Sequence, residues 1–315
     1  MSTMQTSGRG ISGLVPWFGG KRAMAPMIVN QICWRDGKVW KPSFFAEPFC
    51  GSMAVSLAMP EIPTHIVNDL HRDLINLACV LASSRGIDLV ARAENTLSAR
   101  IVHDRTLAAV ESVRQELEPA ALGDVSDEHF EWAYGYLVSA WLGKGGVAGT
   151  DDTATKAFAS RFGPGGGSPS KRWDTVVRSL PGLIQRIRMF VIEHRDAFAL
   201  LPKIHDKPGC AIYCDSPYLM TTRVSGGYRH DFSDAGGATM FGVADDHERL
   251  ADALNRFEHT RIVVSYEDHP RLGELYPDSR WNKIEIDRPK NLANTNGGKD
   301  RVTEVLLVNG DVRVE

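Results

Sequence analysis

Four consecutive residues, Asp215-Ser216-Pro217-Tyr218, follow the apolar run Ala211-Ile212-Tyr213-Cys214. An acid, a rigid turn and an aromatic ring at one edge of a sheet are suited to gripping a planar base by its amino group. The carboxylate and a turn carbonyl accept the two amino hydrogens, and the ring stacks on the face. On its own a strand ending in Asp-x-Pro is an ordinary turn. Other segments of the chain give it force.

Three further strand ends carry suggestive chemistry, and ligands of open α/β sheets bind beyond such ends. Ser43-Phe44-Phe45-Ala46-Glu47 leads into Pro48-Phe49-Cys50-Gly51-Ser52. Gly51 lets the backbone approach a ligand closely, and the following helix N-terminus favours an anionic group. His65-Ile66-Val67-Asn68-Asp69 ends on an acid placed as one near ribose hydroxyls would be. His194-Arg195-Asp196-Ala197-Phe198 offers an acid and an aromatic suited to an adenine amino group and ring. Each reads equally as turn or helix-cap chemistry when taken singly.

The elements that must position these ends alternate strand and helix. The run ending at Glu47 precedes a short helix from Met53, and the run ending at Asp69 precedes a helix through Leu74, Leu77 and Leu81. From about residue 86 to 186 the alternation gives way to a mainly helical region. There Trp132, Tyr136 and Trp141 stand near helical spacing, as core residues do. Strands resume at Met189–Glu193, Cys210–Asp215 and Arg261–Ser265, with a helix from about Asp245 to Phe257. Two closing strands, Trp281–Ile286 and Val302–Val308, form an antiparallel edge. The pattern predicts an α/β fold: a doubly wound, mostly parallel, Rossmann-like sheet with a mainly helical insertion.

The 315 residues carry a formal net charge of -3 with ordinary hydrophobic and charged shares, 43% and 24%. No apolar run approaches the ~20 residues that span a bilayer. The polar start, Met1 to Gly13, has no apolar signal core, so cytoplasmic residence is expected. Five scattered cysteines, Cys33, Cys50, Cys79, Cys210 and Cys214, lack zinc-like spacing and read as reduced thiols, with no metal. Charge is unevenly spread. Between residues 156 and 188, Lys156, Arg161, Lys171, Arg172, Arg178, Arg186 and Arg188 face only Asp174, around the stretch Gly163–Pro169. A basic, glycine-rich loop in an otherwise acidic chain suits phosphate contact.

Together with Trp17-Phe18-Gly19-Gly20-Lys21, these segments resemble, in order and over most of the chain, the Dam-like class of adenine-specific DNA methyltransferases. The glycine-lysine segment and the tetrapeptide are specific as a pair; the rest is supportive. The resemblance implies S-adenosylmethionine as cofactor, double-stranded DNA as partner, and a DNA-associated protein of bacterial or phage type for which a monomer suffices. It implies a cofactor site from Trp17, Gly19, Gly20, Lys21, Glu47, Pro48, Phe49, Gly51, Ser52, Asp69, Asp196, Phe198 and Asp215. The catalytic turn is Asp215, Ser216, Pro217 and Tyr218, with Tyr218 as stacking ring. Residues 14–85 and 189–315 form the catalytic domain. Residues 86–188 are the inserted target-recognition domain, with Arg161, Lys171, Arg172 and Arg178 toward DNA. Tyr228, Arg229 and His230 fall in a long loop that closes over DNA.

Lys21 has three readings: neutralising charge in the cofactor site, meeting a DNA phosphate, or plain surface. His247 is read as helix surface or packing, without chemistry. The family usually has Pro where this chain has Ser216. Ser supplies the same backbone carbonyl but not the fixed φ of proline. That departure makes a catalytically weakened DNA-binding homologue one alternative; methylation of cytosine's amino group, which uses similar acid-turn-aromatic chemistry, is the other.

Overall fold

A computed structural model describes residues 11–17, 19–114, 116–121, 124–143, 157–159, 168–219, 245–289 and 301–314. In chain order come α1 (Ala25–Ile32), β1 (Trp34–Arg35), β2 (Lys38–Val39), β3 (Phe44–Glu47), α2 (Ala54–Ala58) and β4 (Thr64–Asn68). Five helices follow: α3 (Arg72–Ala82), α4 (Gly86–Glu94), α5 (Arg100–Val113), α6 (Asp127–Leu142) and α7 (Pro169–Ile187). The chain continues with β5 (Val191–Glu193), α8 (Ala197–Leu200), β6 (Cys210–Cys214), α9 (Asp246–Asn255), β7 (Arg261–Glu267), α10 (Leu272–Leu275), β8 (Trp281–Pro289) and β9 (Arg301–Asn309). They pack as two compact units, one carrying the main sheet and one built from α3 to α7 with the residues before Phe18.

In the first unit seven strands lie in the order β5-β4-β3-β6-β7-β9-β8. The first five are mutually parallel, and β9 is antiparallel to both β7 and β8. The expected Rossmann-like fold with an antiparallel pair at one edge is what forms. From β3 the chain steps outward through β4 and β5, then returns to lay β6 on the other side of β3. The carboxyl ends of β3 and β6 thus flank the topological switch point, where open α/β sheets hold their ligands.

Both faces of β6 are covered, so its run Cys-Ala-Ile-Tyr-Cys is apolar without alternation. Ala211 and Tyr213 pack with Ile28 and Ile32 of α1, while Ile212 and Cys214 pack with Leu250 and Leu254 of α9. Helix α9 starts where Asp245 accepts the Glu248 backbone N–H at 2.9 Å. Asp206 accepts three backbone N–H groups, from Glu258, His259 and Thr260, and fixes the entry to β7.

The second unit is helical. Trp132, fully buried on α6, donates from its indole to Asp73 of α3 at 2.8 Å, and Arg114 reaches the same carboxylate at 3.4 Å. Gly135 of α6 meets α5 so closely that a Cβ would lie 2.8 Å from Val110 and 2.9 Å from the Thr106 carbonyl. Tyr136 and Trp141 are core, as their spacing suggested. Helix α3 packs here because its residues from Asp73 to Leu81 are all buried, Asp73 serving Trp132 and Arg114. Among the described residues no single helix is long and apolar enough to cross a membrane. The cysteines are free thiols, and burial pushes Cys33 and Cys79 up to about 11, so they stay protonated.

Candidate active site

At the end of β6 the chain enters Asp215-Ser216-Pro217-Tyr218, whose last three residues are buried. The centre of the site is Lys21, only 5% exposed. Its Nζ lies 2.8 Å from Asp215 Oδ1 and 3.3 Å from Glu304 Oε1, and donates to the Gly19 carbonyl at 3.0 Å. That carbonyl is presented by a glycine at φ 68, a left-handed conformation that suits glycine. Lys21 also donates to the Tyr218 hydroxyl, which donates to Glu304. Arg288 completes the cluster, its Nε 2.9 Å and Nη2 2.7 Å from Glu304 Oε2. Two cations thus balance two carboxylates in a largely dry setting. The reading of Lys21 as plain surface is overturned. A buried ammonium needs partners, and both carboxylates meet it.

Burial pushes Asp215 up, to about 6, against the pull of Lys21 and with a further push from Glu304. About a fifth of its side chain is still exposed, which limits how far burial acts. Glu304, although burial is the largest single influence and opposes it, is held below the usual carboxylate range by Lys21 and Arg288. Sequence reasoning missed Glu304 and Arg288. The one signal for Glu304 was a lone acid in the strand Val302-Thr303-Glu304-Val305-Leu306-Leu307-Val308.

The turn after β3 is built by its neighbours. Cys50 N–H donates to the Asn68 carbonyl at 2.9 Å, and Gly51, at φ 43, donates to Asp69 Oδ2 at 2.8 Å. Asn68 donates to the Pro48 and Arg195 carbonyls, both at 2.9 Å, so one buried amide ties together the ends of β3, β4 and β5. Asp69 is half-buried, its other oxygen accepting from His71 N–H. Ser52 is buried and Phe49 half-buried. Asp196 is exposed and caps α8, accepting from Phe198 N–H at 2.7 Å. The Phe198 ring carries the Arg249 guanidinium 4.0 Å from its centroid. Trp17 is half-buried and packs with the helical unit.

Glu47 points into a closed network. Ser56 donates to it from backbone and hydroxyl, and His65 Nε2 stands 2.9 Å from that hydroxyl. Burial pushes Glu47 up to about 8; Ser56 opposes this, while Asp215 and Asp69 add to it. A folded pKa above the unfolded one means that the stability contributed is full below the unfolded value and is lost as pH rises through the folded one. Glu47→Gln is therefore expected to match the parent near pH 5. At pH 9 it should exceed the parent by roughly 1–4 kcal/mol. Denaturant unfolding at the two pH values checks this, and an equal difference at both would refute it.

Residues 17–106 match the D12 class N6 adenine-specific DNA methyltransferases. The resemblance read from the sequence to adenine-specific DNA methyltransferases holds over that segment. The match contains Lys21, the glycine turn and Asp69, and it supports adenine methylation of DNA as the general chemistry. No curated protein matches the chain. A methyltransferase of this family is expected to be S-adenosylmethionine-dependent. The donor set fits such a group: a glycine backbone at positive φ, an acid at the end of β4 with lone pairs remaining, and a half-buried aromatic after β5.

Of the basic residues expected to face DNA, Arg161 lies outside the described residues, as do Lys156 of the same basic stretch and Tyr228, Arg229 and His230. Lys171 and Arg172 line a cavity of about 310 Å³ with Trp141, Ala159, Ser168 and Thr175 at the start of α7. Arg178 is exposed and paired with Asp174 at 2.9 Å, an i,i+4 surface pair on α7. That pairing dilutes its charge toward any phosphate. If Lys171 and Arg172 each meet a phosphate, replacing both by Ala should flatten the slope of log K against log salt by about 2. DNA binding measured across a salt series checks this, and an unchanged slope removes the segment from the interface.

Proposed function

We propose that the protein is a site-specific DNA methyltransferase that moves a methyl group from S-adenosylmethionine to the exocyclic 6-amino group of a flipped-out adenine. The observation that carries the reading is a half-buried carboxylate, Asp215, at the switch-point end of β6, beside a lysine of the segment matched to adenine methyltransferases. The bound cofactor would supply an electrophilic methyl group on a sulfonium. Gly51, Asp69, Asp196 and Phe198 would hold it.

The adenine amino nitrogen is a poor nucleophile because its lone pair is delocalised into the ring. Asp215 and the Ser216 carbonyl accept its two hydrogens and favour a pyramidal nitrogen with a directed lone pair. Displacement is direct, without a covalent enzyme intermediate. Orientation then carries much of the rate, and well-aligned reactants gain ~7–11 kcal/mol. Lys21 keeps Asp215 ionised for accepting. The raised pKa of about 6 leaves Asp215 basic enough to take the proton that becomes acidic once the nitrogen is methylated.

Extruding the base costs a few kcal/mol, and stacking on an aromatic offsets roughly 1–3 kcal/mol of it. Tyr218 is only 4% exposed, so the site must open around it for a base to stack. Residues 86–188 are assigned to target recognition, where side chains read base edges and phosphates.

Incubating the protein with labelled S-adenosylmethionine and unmethylated duplex DNA of mixed sequence, then analysing the nucleosides, tests the reading. Labelled methyladenine is expected. Methylcytosine would replace the target base, and no labelled nucleoside at all would remove the enzymatic reading.

A further inference from the structure

Ser216 is 1% exposed, and its hydroxyl is not idle. It donates to the Tyr266 hydroxyl at 3.0 Å. Tyr266, fully buried on β7, places that same oxygen 3.2 Å from Nδ1 of His247, also fully buried, in the first turn of α9. The Tyr266 ring stands 6.1 Å, centroid to centroid, from that of Tyr218 and 6.1 Å from that of Tyr276. One residue therefore touches the catalytic turn on both sides of Pro217.

We propose that Tyr266, backed by His247, is a positioning residue that fixes the Ser216 carbonyl for the amino group of the base. The proposal rests on the methyltransferase reading above. Pro217 already confines Ser216 to extended conformations. Within that region φ at 216 is still free, and the carbonyl swings with it. A hydrogen bond from Oγ to a buried, immobile phenol anchors Cβ and thereby Cα, one bond from that carbonyl. A proline at 216 would impose the same restraint covalently through its ring. The phenol and a ring at 216 are thus two devices for one job, and removing one should matter only when the other is absent.

Methyl transfer to DNA is measured for the full chain and for Ser216→Ala, Tyr266→Phe, the double variant, Ser216→Pro, and Ser216→Pro with Tyr266→Phe. The unfolding midpoint of each is recorded alongside. Ser216→Ala and Tyr266→Phe should each lower kcat on the order of tenfold, a loss typical of a misplaced reacting group, with KM for the cofactor nearly unchanged. The double variant should be no slower than either single one. In the Ser216→Pro background Tyr266→Phe should change kcat by less than about twofold.

Multiplicative losses in the double variant would overturn the proposal. So would an equal loss from Tyr266→Phe in the Ser216 and Pro backgrounds, or a lowered midpoint with kcat intact, since each marks plain packing. Absence of transfer by the parent protein would instead overturn the methyltransferase reading, and this inference with it.

Discussion

Replacing Asp215 with alanine is expected to lower methyl transfer by roughly 10²–10⁴-fold, the range for losing a positioned proton-accepting group, while DNA binding persists. Asp215 joins three properties. It directly follows β6 at the switch point, it is partly exposed, and its carboxylate is poised near neutrality. Its removal leaves Lys21 with Glu304 and the Tyr218 hydroxyl, so that Lys21 and Arg288 share one carboxylate and some stability is lost. Unfolding midpoints recorded beside the rates keep that stability loss apart from the loss of chemistry. The ionised carboxylate is the stronger acceptor and the form able to take the proton released on methylation, so the parent rate should climb as pH rises through about 6 and level off above it. Rates across pH 5–8, with DNA affinity measured on the same preparations, test both statements. Retained transfer in the alanine variant, or a rate that falls from pH 5 to 7, would take Asp215 out of the chemistry.

Lys21→Met should carry a large stability cost, about 3–5 kcal/mol at neutral pH, the usual penalty for stripping one partner from a buried ion pair. Methionine fills similar volume, so the loss is electrostatic rather than a cavity. Asp215 and Glu304 would then lose the cation they share, which lowers the pKa of each, while Arg288 stays on Glu304. Raised folded values make the variant bind more protons folded than unfolded, so its stability falls as pH rises. The deficit against the parent should be small near pH 5 and full near pH 8. Urea unfolding at both values reads this directly. A deficit that does not change with pH would mean that the lysine stem, not its charge, does the stabilising.

The site was legible in the chain where chemistry is local. A strand followed at once by Asp215-Ser216-Pro217-Tyr218 must deliver those groups to a sheet edge, whatever else the fold does. Gly51 was read as a close backbone approach and Gly19 through the family resemblance, and in the structure both adopt positive φ. Other features depended on what packs on what. His247 was assigned to helix surface or packing, and it is fully buried with its Nδ1 on Tyr266, so only packing survives. A short amphipathic helix such as α9 does not announce which polar residue turns inward. Asp196, read as an adenine contact or a cap, caps α8 in the structure.

The sequence by itself determined the alternating α/β pattern, the acid turn after β6, the glycine turn after β3 and the antiparallel closing pair. All of these follow from residue types within a few positions of one another. Only the tertiary structure decided that Lys21, Asp215, Glu304 and Arg288 form one balanced cluster. The physical reason is strand direction. Because β9 runs against β7, Glu304 near its start pairs with Glu267 at the carboxyl end of β7. Because β8 runs against β9, Arg288 near its end comes to that same edge, opposite Val302. Residues 86 positions apart, Tyr218 and Glu304, thus meet through sheet order, which no local spacing encodes.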